Sequence, residues 1–411
     1  MTAIELTSSA VKLIVGYELD GRAVVLDSLT MPMNDGAVFN GEVVDPGAAS
    51  AAICKLLKQA SNDLNFPITE VSLAVPPIGL EVYVVDKNQT CVGTTPKISK
   101  TDIQNVIGQV RNENVGEQNE IIGLVPECFV IDQGRAFSNP PINEESKNIT
   151  LHAKIHVLPK KVIDGYRKAA EFAHVRVRKM VVAPYAAAEV VKGYKEMPSD
   201  YVLFDFGARF STISLIGDFQ LYGSTYLHKG SDHLTETLAS GLKISYNEAT
   251  KLKEIYGIDH SPSSYKGVIA GLVDENGKTL NYTVDNVNAV LEKAVSDYAE
   301  DVHRCINDLL SGYDESFRNL PVVVTGGGAR LSGLAPILEQ YLAPHPVIFF
   351  SSKAMGARNS AYTNVLGVIK IVNKYRNAFD EEKRMVTPVE RVQTSTPKEK
   401  KKGYDAFEDE L

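Results

Sequence analysis

The chain has no tryptophan and only four cysteines among its 411 residues. The cysteines stand apart from one another, without metal-like spacing, so we interpret them as small buried side chains of a protein in a reducing compartment. The eight histidines are equally dispersed, and none pairs at the spacing of metal ligands. Neither residue type therefore predicts a metal centre. The cysteines are Cys54, Cys91, Cys128 and Cys305.

Long apolar runs are missing as well. No stretch of about 18 apolar residues is present that would span a bilayer, and the first 21 residues lack the basic start and cleavage site of a signal peptide. The formal net charge of -8 gives no support for a nucleic-acid partner. With 44% hydrophobic and 23% charged residues, the composition is typical of a soluble multidomain protein, which we expect in the cytoplasm.

The first part of the chain alternates strands and helices. Asp20-Gly21 separates two β-rich runs and predicts a hairpin. Asp45 and Pro46 predict the start of a helix, and residues 70–77 return to strand character. The order strand, hairpin, helix, strand indicates an α/β fold.

Residues 82–160 have the pattern of a separate module. Ser99 and Asp102 have the spacing of a capping box, and the helix that they begin places apolar residues such as Ile103 and Val106 on one face. Two strand-like runs follow, separated by a turn-rich spacer.

Three strand-turn motifs could hold a nucleotide: IELTSSAVKLIVG at residues 4–16, VLFDFGARFSTISLI at residues 202–216 and VVVTGGGARLSGL at residues 322–334. The first two would surround a phosphate with backbone N–H groups and small hydroxyls. The third would let an adenosine lie close to the backbone at a helix N-terminus. Taken alone, Gly326-Gly327-Gly328 is explained equally well as a tight structural turn.

The ordered trio resembles the actin/Hsp70/sugar-kinase superfamily and, within it, the FtsA family of bacterial cell-division proteins. The runs LVPECFVID, SDHLTETLASGL and AYTNVLGVI are similar to further FtsA segments, and the resemblance covers residues 3 to about 380. It implies an α/β, actin-like (ribonuclease H-like) fold with duplicated domains around a nucleotide cleft and an FtsA-type inserted subdomain.

The resemblance also implies domain limits. It assigns residues 1–81 and 161–197 to a first actin-like domain, 82–160 to an SHS2-like inserted subdomain, 198–225 and 319–380 to a second actin-like domain, 226–318 to a peptide-binding subdomain, and 381–411 to a disordered tail.

Both phosphate loops depart from the pattern of the relatives. Thr7 replaces the glycine of the first loop, and a β-branched residue resists the backbone geometry that glycine permits. In the second loop Ala208 and Arg209 replace two glycines, and Phe210 replaces a threonine. Two interpretations of Arg209 stay open: its guanidinium compensates by binding phosphate, or the loop is a relic and Arg209 is solvated.

The resemblance implies ATP and Mg²⁺ as cofactors, with binding weakened or lost because of these departures, and we expect weak or absent ATPase activity. Asp205 would hold the metal through its water shell. Glu189 would position the attacking water, although an exposed helical glutamate fits as well; for Lys251 and Lys253 a solvated face is the alternative. The residues implied to contact the nucleotide are Glu5, Thr7, Ser8, Ser9, Lys12, Asp205, Gly207, Arg209, Lys251, Lys253, Gly326, Gly327, Gly328 and Arg330.

The remaining implications concern partners. FtsA-like proteins bind the C-terminal peptide of the tubulin-like protein FtsZ, form filaments and attach the division ring to the membrane. Here Lys293 and Arg304 would meet an acidic peptide, and residues 82–160 would meet the next subunit and other division proteins. The C-terminal run GYDAFEDEL is acidic, so anionic lipid would repel it, and membrane contact would be weak or indirect.

We therefore expect a cell-division scaffold at the cytoplasmic face of the membrane at the septum. Two alternatives stay open: a filament-forming ATPase of the plasmid-segregation type, and a pilus-assembly protein of the same superfamily. The loss of glycine from both phosphate loops disfavours the first alternative. The SDHLT and VPECFVID runs disfavour the second.

Overall fold

The computed structural model describes residues 1–93, 96–259, 261, 265–273, 279–376 and 385–386. The first part of the chain forms a five-stranded sheet in the order β3-β2-β1-β6-β11, in which β1, β2 and β3 are antiparallel and β1, β6 and β11 are parallel. Its strands and helices are β1 (Thr2–Leu6), β2 (Ala10–Leu19), β3 (Arg22–Pro32), the short pair β4 (Val38–Phe39) and β5 (Glu42–Val43), α1 (Pro46–Leu64), β6 (Glu70–Val75), α3 (Lys160–Phe172), β11 (Arg176–Val182) and α4 (Ala183–Val191).

Several elements of this sheet follow from the local sequence. The Asp20-Gly21 turn joins β2 to β3, and both residues have positive φ, as the predicted hairpin requires. The side chain of Asp45 accepts a hydrogen bond from the Ala48 N–H and caps α1, with Pro46 in the first turn. The predicted hairpin and helix start are thus confirmed.

The inserted module consists of β7 (Glu81–Thr90), α2 (Lys100–Arg111), β8 (Asn119–Ile131), β9 (Arg135–Phe137) and β10 (Asn148–Pro159). The predicted capping box is present, because Ser99 and Asp102 accept each other's backbone N–H hydrogen bonds at the start of α2. The buried face of α2, with Ile103 and Val106, packs on the sheet. This module therefore has a hydrophobic core of its own.

The second half repeats the architecture of the first. Its sheet has the order β14-β13-β12-β17-β18, with an antiparallel set of three strands followed by two parallel ones. This is the strand order of the first sheet, and it confirms the predicted duplicated α/β fold. The elements are β12 (Tyr201–Asp205), β13 (Ser211–Gly217), β14 (Gln220–Leu227), β17 (Val322–Thr325), α8 (Leu334–Tyr341), β18 (Val347–Phe349) and α9 (Thr363–Arg376).

A smaller, mainly helical unit lies between β14 and β17. It contains α5 (Ser231–Leu242), α6 (Tyr246–Tyr256), β15 (Val268–Val273), β16 (Thr279–Thr283) and α7 (Val284–Leu310). The long helix predicted over residues 286–311 begins two residues earlier, because Thr283 and Asn286 form a capping box. Its predicted core face is buried, including Val287, Leu291 and Val295.

Helices α4 and α9 join the two halves. They pack against each other, α9 lies along β1, β2 and β6 of the first sheet, and α4 contacts strands of both sheets. A Cβ at Gly367 of α9 would lie 1.8 Å from the carbonyl oxygen of Ala186 in α4, so only glycine permits this approach. Their side chains form one continuous core with residues of both sheets, including Ala3 and Leu203.

Of the tail predicted to be disordered, the structure describes only β19 (Met385–Val386), which pairs with Phe137 and Ala136 of β9 at the edge of the inserted sheet. At these two residues the structure has a strand where the sequence predicted disorder, because the outer edge of β9 offers unpaired backbone groups. The rest of that prediction lies outside the described residues. Among the helices that are described, none has the length and apolar character needed to cross a bilayer.

Candidate functional site

The site lies where the central strands of the two sheets end. Glu5 is near the end of β1, and Asp205 is the last residue of β12. Asn364, in the first turn of α9, donates hydrogen bonds from its amide nitrogen to Glu5 Oε1 and Asp205 Oδ2, both at 2.7 Å. One amide thus connects an acid of the first sheet to an acid of the second sheet.

Lys12 completes this group, which we call the cleft cluster (Glu5, Lys12, Asp205 and Asn364). The register of β1 and β2 places Lys12 opposite Glu5, and its Nζ lies 2.9 Å from Glu5 Oε2. Burial lowers the pKa of Lys12, but the carboxylates of Glu5 and Asp205 outweigh this effect and the pKa is raised. Burial, together with the Glu5 charge, raises the pKa of Asp205, while Lys12 and Asn364 oppose the increase.

The first phosphate loop closes on itself. The N–H and Oγ1 of Thr7 both donate to the carbonyl oxygen of Ala10, at 2.9 and 2.8 Å, and Oγ1 accepts from the Ala10 N–H at 3.1 Å. Ser8 is buried and Ser9 is exposed. The side chain that replaces glycine therefore completes the turn, and the Thr7 N–H is already used inside the protein.

The second phosphate loop is bonded to α5. The carbonyl oxygens of Gly207 and Ala208 accept from the N–H groups of Ser231 and Asp232, at 3.0 and 2.9 Å. Free N–H groups at a helix N-terminus are the usual binding groups for an anion. Here those of Ser231 and Asp232 bind the loop instead. A Cβ at Gly230 would lie 2.3 Å from the Ala208 oxygen, so the packing is tight.

Arg209 connects the second loop to both halves of the molecule. Its Nε lies 3.0 Å from Asp232 Oδ2 at the start of α5, and its Nη2 lies 2.9 Å from Asp35 Oδ1, which follows β3 in the first half. Hydrogen bonds and charge from these carboxylates raise the pKa of Arg209. The sequence left phosphate binding and solvation as alternatives; the structure instead gives the guanidinium two carboxylate partners, and we call these three residues the cleft bridge.

In the glycine turn after β17, close packing requires glycine at two of the three positions. Gly326 has φ +92°, and a Cβ there would lie 2.3 Å from Asp205 Oδ1. A Cβ at Gly328 would lie 2.6 Å from the ring of Phe206, which stacks on Phe204 and Tyr298. At Gly327 the nearest atom would be 3.9 Å away. Packing therefore requires glycine at the first and third positions, while the middle position faces open space.

A cavity of about 240 Å³ lies beside this turn. Arg330 is at its rim, and Phe349 and Arg358 approach it from β18 and the segment before α9. The cavity is smaller than the roughly 300 Å³ at which small-molecule sites usually begin.

The two lysines predicted on α6 differ in environment. Lys251 is exposed. Lys253 is buried between α5 and α6, where its Nζ donates to Ser231 O at 2.8 Å, Ser231 Oγ at 3.0 Å and Thr235 Oγ1 at 2.6 Å. Burial lowers the pKa of Lys253, although Asp232 and Glu254 oppose this. Its ammonium therefore joins α5 to α6.

The structure does not bring Glu189 to the cleft cluster. Its carboxylate lies 3.3 Å from Lys374 Nζ, and ten residues of α9, about 15 Å of helix, separate Lys374 from Asn364. Glu189 lines a different cavity, of about 410 Å³, together with Glu18 and Asp20 near the β2–β3 turn. Helix α4 begins directly after β11, at the edge of the sheet where β1 ends, and Glu189 is almost two turns farther along it.

Lys293 and Arg304 on α7 have acidic partners on their own helix. Lys293 Nζ lies 2.7 Å from Asp297 Oδ2, and Arg304 Nη2 lies 3.4 Å from Asp301 Oδ1. The exposed face around them also carries Glu292, Glu300 and Asp308. Both cations are therefore already paired within α7 when no other protein is bound.

Sequence reasoning missed Asn364, Asp35 and Asp232 as members of the site. Asn364 begins the closing helix, some 360 residues after Glu5, and Asp35 is exposed in the connection after β3. Asn364 belongs to the AYTNVLGVI run, which is similar to an FtsA segment but indicated no role for it, and no local pattern distinguishes Asp35 from an ordinary polar position. Asp232 belongs to the SDHLT run, which offered a signal, but its partner Arg209 could be found only from the fold.

The residues at this position fit a triphosphate with magnesium poorly. Glu5 and Asp205 are oxygen ligands of the kind that Mg²⁺ prefers, and Asn364 Oδ1 is a buried acceptor with no hydrogen-bond partner among the described residues. However, the Lys12 ammonium already pairs with Glu5, and the N–H groups of Thr7, Ser231 and Asp232 have internal acceptors. A cavity lies beside the glycine turn, whereas these groups at the phosphate end already have partners within the chain.

The duplicated sheets, the helices between them and the acids at the ends of the two central strands define an actin-like protein. Solved structures of this fold are similar over most of the chain. The PilM–PilN type IV pilus biogenesis complex matches with a TM-score of 0.57, 14% identity and coverage of 90% of this chain and 98% of that one. MreB5 of Spiroplasma citri bound to ADP matches with a TM-score of 0.53, 12% identity and coverage of 93% and 99%.

Within this class, the sequence is similar to cell division protein FtsA, and the expected resemblance is confirmed. The family model described as cell division protein FtsA matches residues 202–367. FtsA of Streptococcus pneumoniae is 23% identical over 372 residues, covering 89% of this chain and 79% of the relative. FtsA of Bacillus subtilis is 20% identical over 376 residues, covering 90% and 82%.

Proposed function

We propose that the chain is an actin-like scaffold of bacterial cell division, which acts by binding other proteins and not by hydrolysing ATP. The observation that supports this most is the phosphate end of the cleft, where the N–H groups of Thr7, Ser231 and Asp232 have acceptors within the chain and the cations Lys12 and Arg209 pair with carboxylates. The overall likeness to FtsA supplies the process in which such a scaffold would act.

The first proposed partner is the C-terminal peptide of an FtsZ-type protein, bound on the unit that contains α5, α6 and α7. Lys293 and Arg304 would contribute little each, because both already pair with an acid on the same helix and surface pairs are worth about 0–1 kcal/mol. We expect apolar contacts to supply most of the binding free energy, as in other peptide grooves.

Other proposed contacts involve the remaining surfaces. The inserted module would meet the next subunit of a filament and later division proteins. Membrane attachment would be weak or indirect, at the cytoplasmic face of the septum. ATP and Mg²⁺ would bind weakly or not at all, and ATPase activity would be correspondingly weak or absent.

Fluorescence anisotropy with a labelled C-terminal peptide of FtsZ from the same cell tests the central proposal. We expect saturable binding to the full chain. The variant Lys293→Ala/Arg304→Ala should weaken it by about two- to fivefold, which corresponds to the typical value of exposed charge contacts. Lys353→Ala is the matched control, since Lys353 is an exposed lysine paired with Glu196 and lies outside this unit.

Two outcomes would count against the scaffold proposal. The first is no binding of the FtsZ peptide under conditions in which a known FtsA binds it. The second is ATP hydrolysis at a rate typical of filament-forming actins, which would favour the plasmid-segregation alternative. Binding of a short N-terminal peptide of a pilus protein, without FtsZ binding, would favour the pilus-assembly alternative.

A further inference from the structure

Two sets of contacts cross the cleft between the halves. At its outer side, the guanidinium of Arg209 lies between Asp35 of the first half and Asp232 of the second, at 2.9 and 3.0 Å. At its inner end, the amide of Asn364 connects Glu5 to Asp205. Both sets consist entirely of groups from this chain.

The arrangement has the opposite sign to a phosphate site. A bound phosphate is an anion that accepts hydrogen bonds from N–H donors of two loops. In the cleft bridge, a cation from one loop donates to carboxylates from two halves. The residue that supplies the cation stands at a position where the resemblance to FtsA implies glycine.

Three N–H groups near the phosphate end also have partners within the chain. Thr7 N–H donates to Ala10, and the N–H groups of Ser231 and Asp232 donate to the second loop. Each of these hydrogen bonds lies within one half, so a bound triphosphate would have to compete with them for the N–H groups. Opening the cleft would separate Arg209 from Asp35. Both losses oppose nucleotide binding.

The two sets of contacts differ in strength. Asp35 is 88% exposed and Arg209 46% exposed, so solvent and salt weaken the cleft bridge considerably. The cleft cluster is more enclosed, with Glu5 7% and Asn364 5% exposed, and its contacts are screened less. The cluster therefore provides most of the cohesion at the inner end, and the bridge adds a smaller, salt-dependent contribution at the outer side.

We infer that the cleft is held closed by the chain's own charges, the cleft cluster and the cleft bridge, so that closure of the two halves does not require a nucleotide. In this protein Arg209 and Lys12 supply the positive charge, and Asn364 supplies the link between the acids. The inference goes beyond the scaffold function and does not depend on which partner is bound.

The direct test compares the full chain with and without millimolar ATP and Mg²⁺ by thermal unfolding and small-angle X-ray scattering. We expect no change in Tm and no change in radius of gyration. An increase in Tm that grows with ATP concentration, or compaction on adding ATP, would overturn the inference, because a ligand that joined the halves would stabilise the folded state. The FtsZ-peptide assay is independent of this result.

Hydrogen exchange tests the bridge itself. Arg209→Ala should accelerate exchange of the Ser231 and Asp232 amides by about two- to fivefold, because local opening becomes easier. Arg318→Ala is the matched control: Arg318 forms an exposed pair with Glu315 at 3.0 Å within the second half, and it does not cross the cleft. Equal exchange in both variants would refute the role of Arg209.

Arg209→Lys and added salt sharpen the same test. Lysine keeps the charge but cannot donate to both carboxylates in the fixed geometry of a guanidinium, so exchange should lie between that of the parent and Arg209→Ala. Raising the salt concentration to about 1 M should accelerate exchange in the parent and leave Arg209→Ala nearly unchanged. If salt does not change the rate of hydrogen exchange in the parent chain, the proposed role of the cleft bridge is wrong.

Discussion

The two halves share one strand order but differ in charge where their central strands end. In the first half Glu5 lies opposite Lys12, whereas in the second half Asp205 lies opposite Thr212. Glu5 therefore has a cation in its own sheet, while Asp205 depends on Asn364 from α9. The same backbone thus produces two different electrostatic environments, and burial together with the Glu5 charge raises the pKa of Asp205.

The next strand of each sheet shows a second difference. In the first half β6 is followed by Pro76-Pro77, and in the second half β17 is followed by Gly326-Gly327-Gly328. Proline has no N–H to donate and a fixed φ, whereas glycine adopts φ +92° at Gly326. The two halves therefore differ in backbone freedom at the end of this strand.

Removing the cation of the first half should have the largest effect. Lys12→Met leaves the carboxylates of Glu5 and Asp205 close together with no positive charge, and breaking a buried pair in this way costs about 3 kcal/mol. Urea unfolding at neutral pH would measure the loss. Thr212→Val at the equivalent position of the second half is the control and should change stability by less than about 1 kcal/mol. Equal losses of stability in Lys12→Met and Thr212→Val would show that the two halves do not differ in charge at these positions.

Filling the glycine turn should have the next largest effect. Gly326→Ala places a Cβ 2.3 Å from Asp205 Oδ1 and keeps a residue at positive φ, which costs about 2 kcal/mol through strain alone. Gly327→Ala, where the nearest atom would be 3.9 Å away, should cost less than about 1 kcal/mol. Thermal unfolding would measure the loss of unfolding free energy in each variant. Similar losses in the two variants would contradict the described geometry of the turn.

A smaller effect is expected from neutralising the acid of the second half. Burial, together with the Glu5 charge, raises the pKa of Asp205 in the folded state, so the folded protein binds this proton more tightly than the unfolded chain. The associated stability is present below the unfolded pKa of about 3.8 and is lost as pH rises through the folded pKa.

Asp205→Asn should therefore stabilise the protein at pH 7 by about 1 kcal/mol and flatten the decrease in stability above pH 4. Urea unfolding between about pH 4 and pH 8 would show both changes. Asp218→Asn, a substitution of the turn residue between β13 and β14, controls for the loss of one negative charge. A destabilised Asp205→Asn protein would mean that the carboxylate is needed in its charged form.

Local sequence predicted much of the fold because its signals depend on neighbours a few residues apart. The Asp20-Gly21 hairpin, the Ser99 capping box and the apolar face of α7 all appear as expected. The end of the chain was less predictable: Met385 and Val386 pair with a strand about 250 residues earlier, and no local pattern indicates such a partner.

In the candidate site, too, the sequence predicted some residues and missed the contacts between distant ones. The acids Glu5 and Asp205 and the glycine turn follow from motifs, and the structure brings them together around Asn364. The predicted Glu189 is not brought there, because motif spacing does not determine how far along α4 a side chain lies from the sheet edge. Arg209 was recognised as a replacement, but its partners come from two separate segments.

The sequence by itself determined the two repeated sheets, the position of the strand-end acids and the loss of glycine from both phosphate loops, since each depends on residues adjacent in the chain. Only the tertiary structure decided what took the place of the lost contacts. Arg209 meets Asp35 across 174 positions and Asn364 meets Glu5 across 359. Charges so far apart in sequence interact only after the packing of α4 against α9 has brought the two halves together, because Coulomb interactions depend on distance in space.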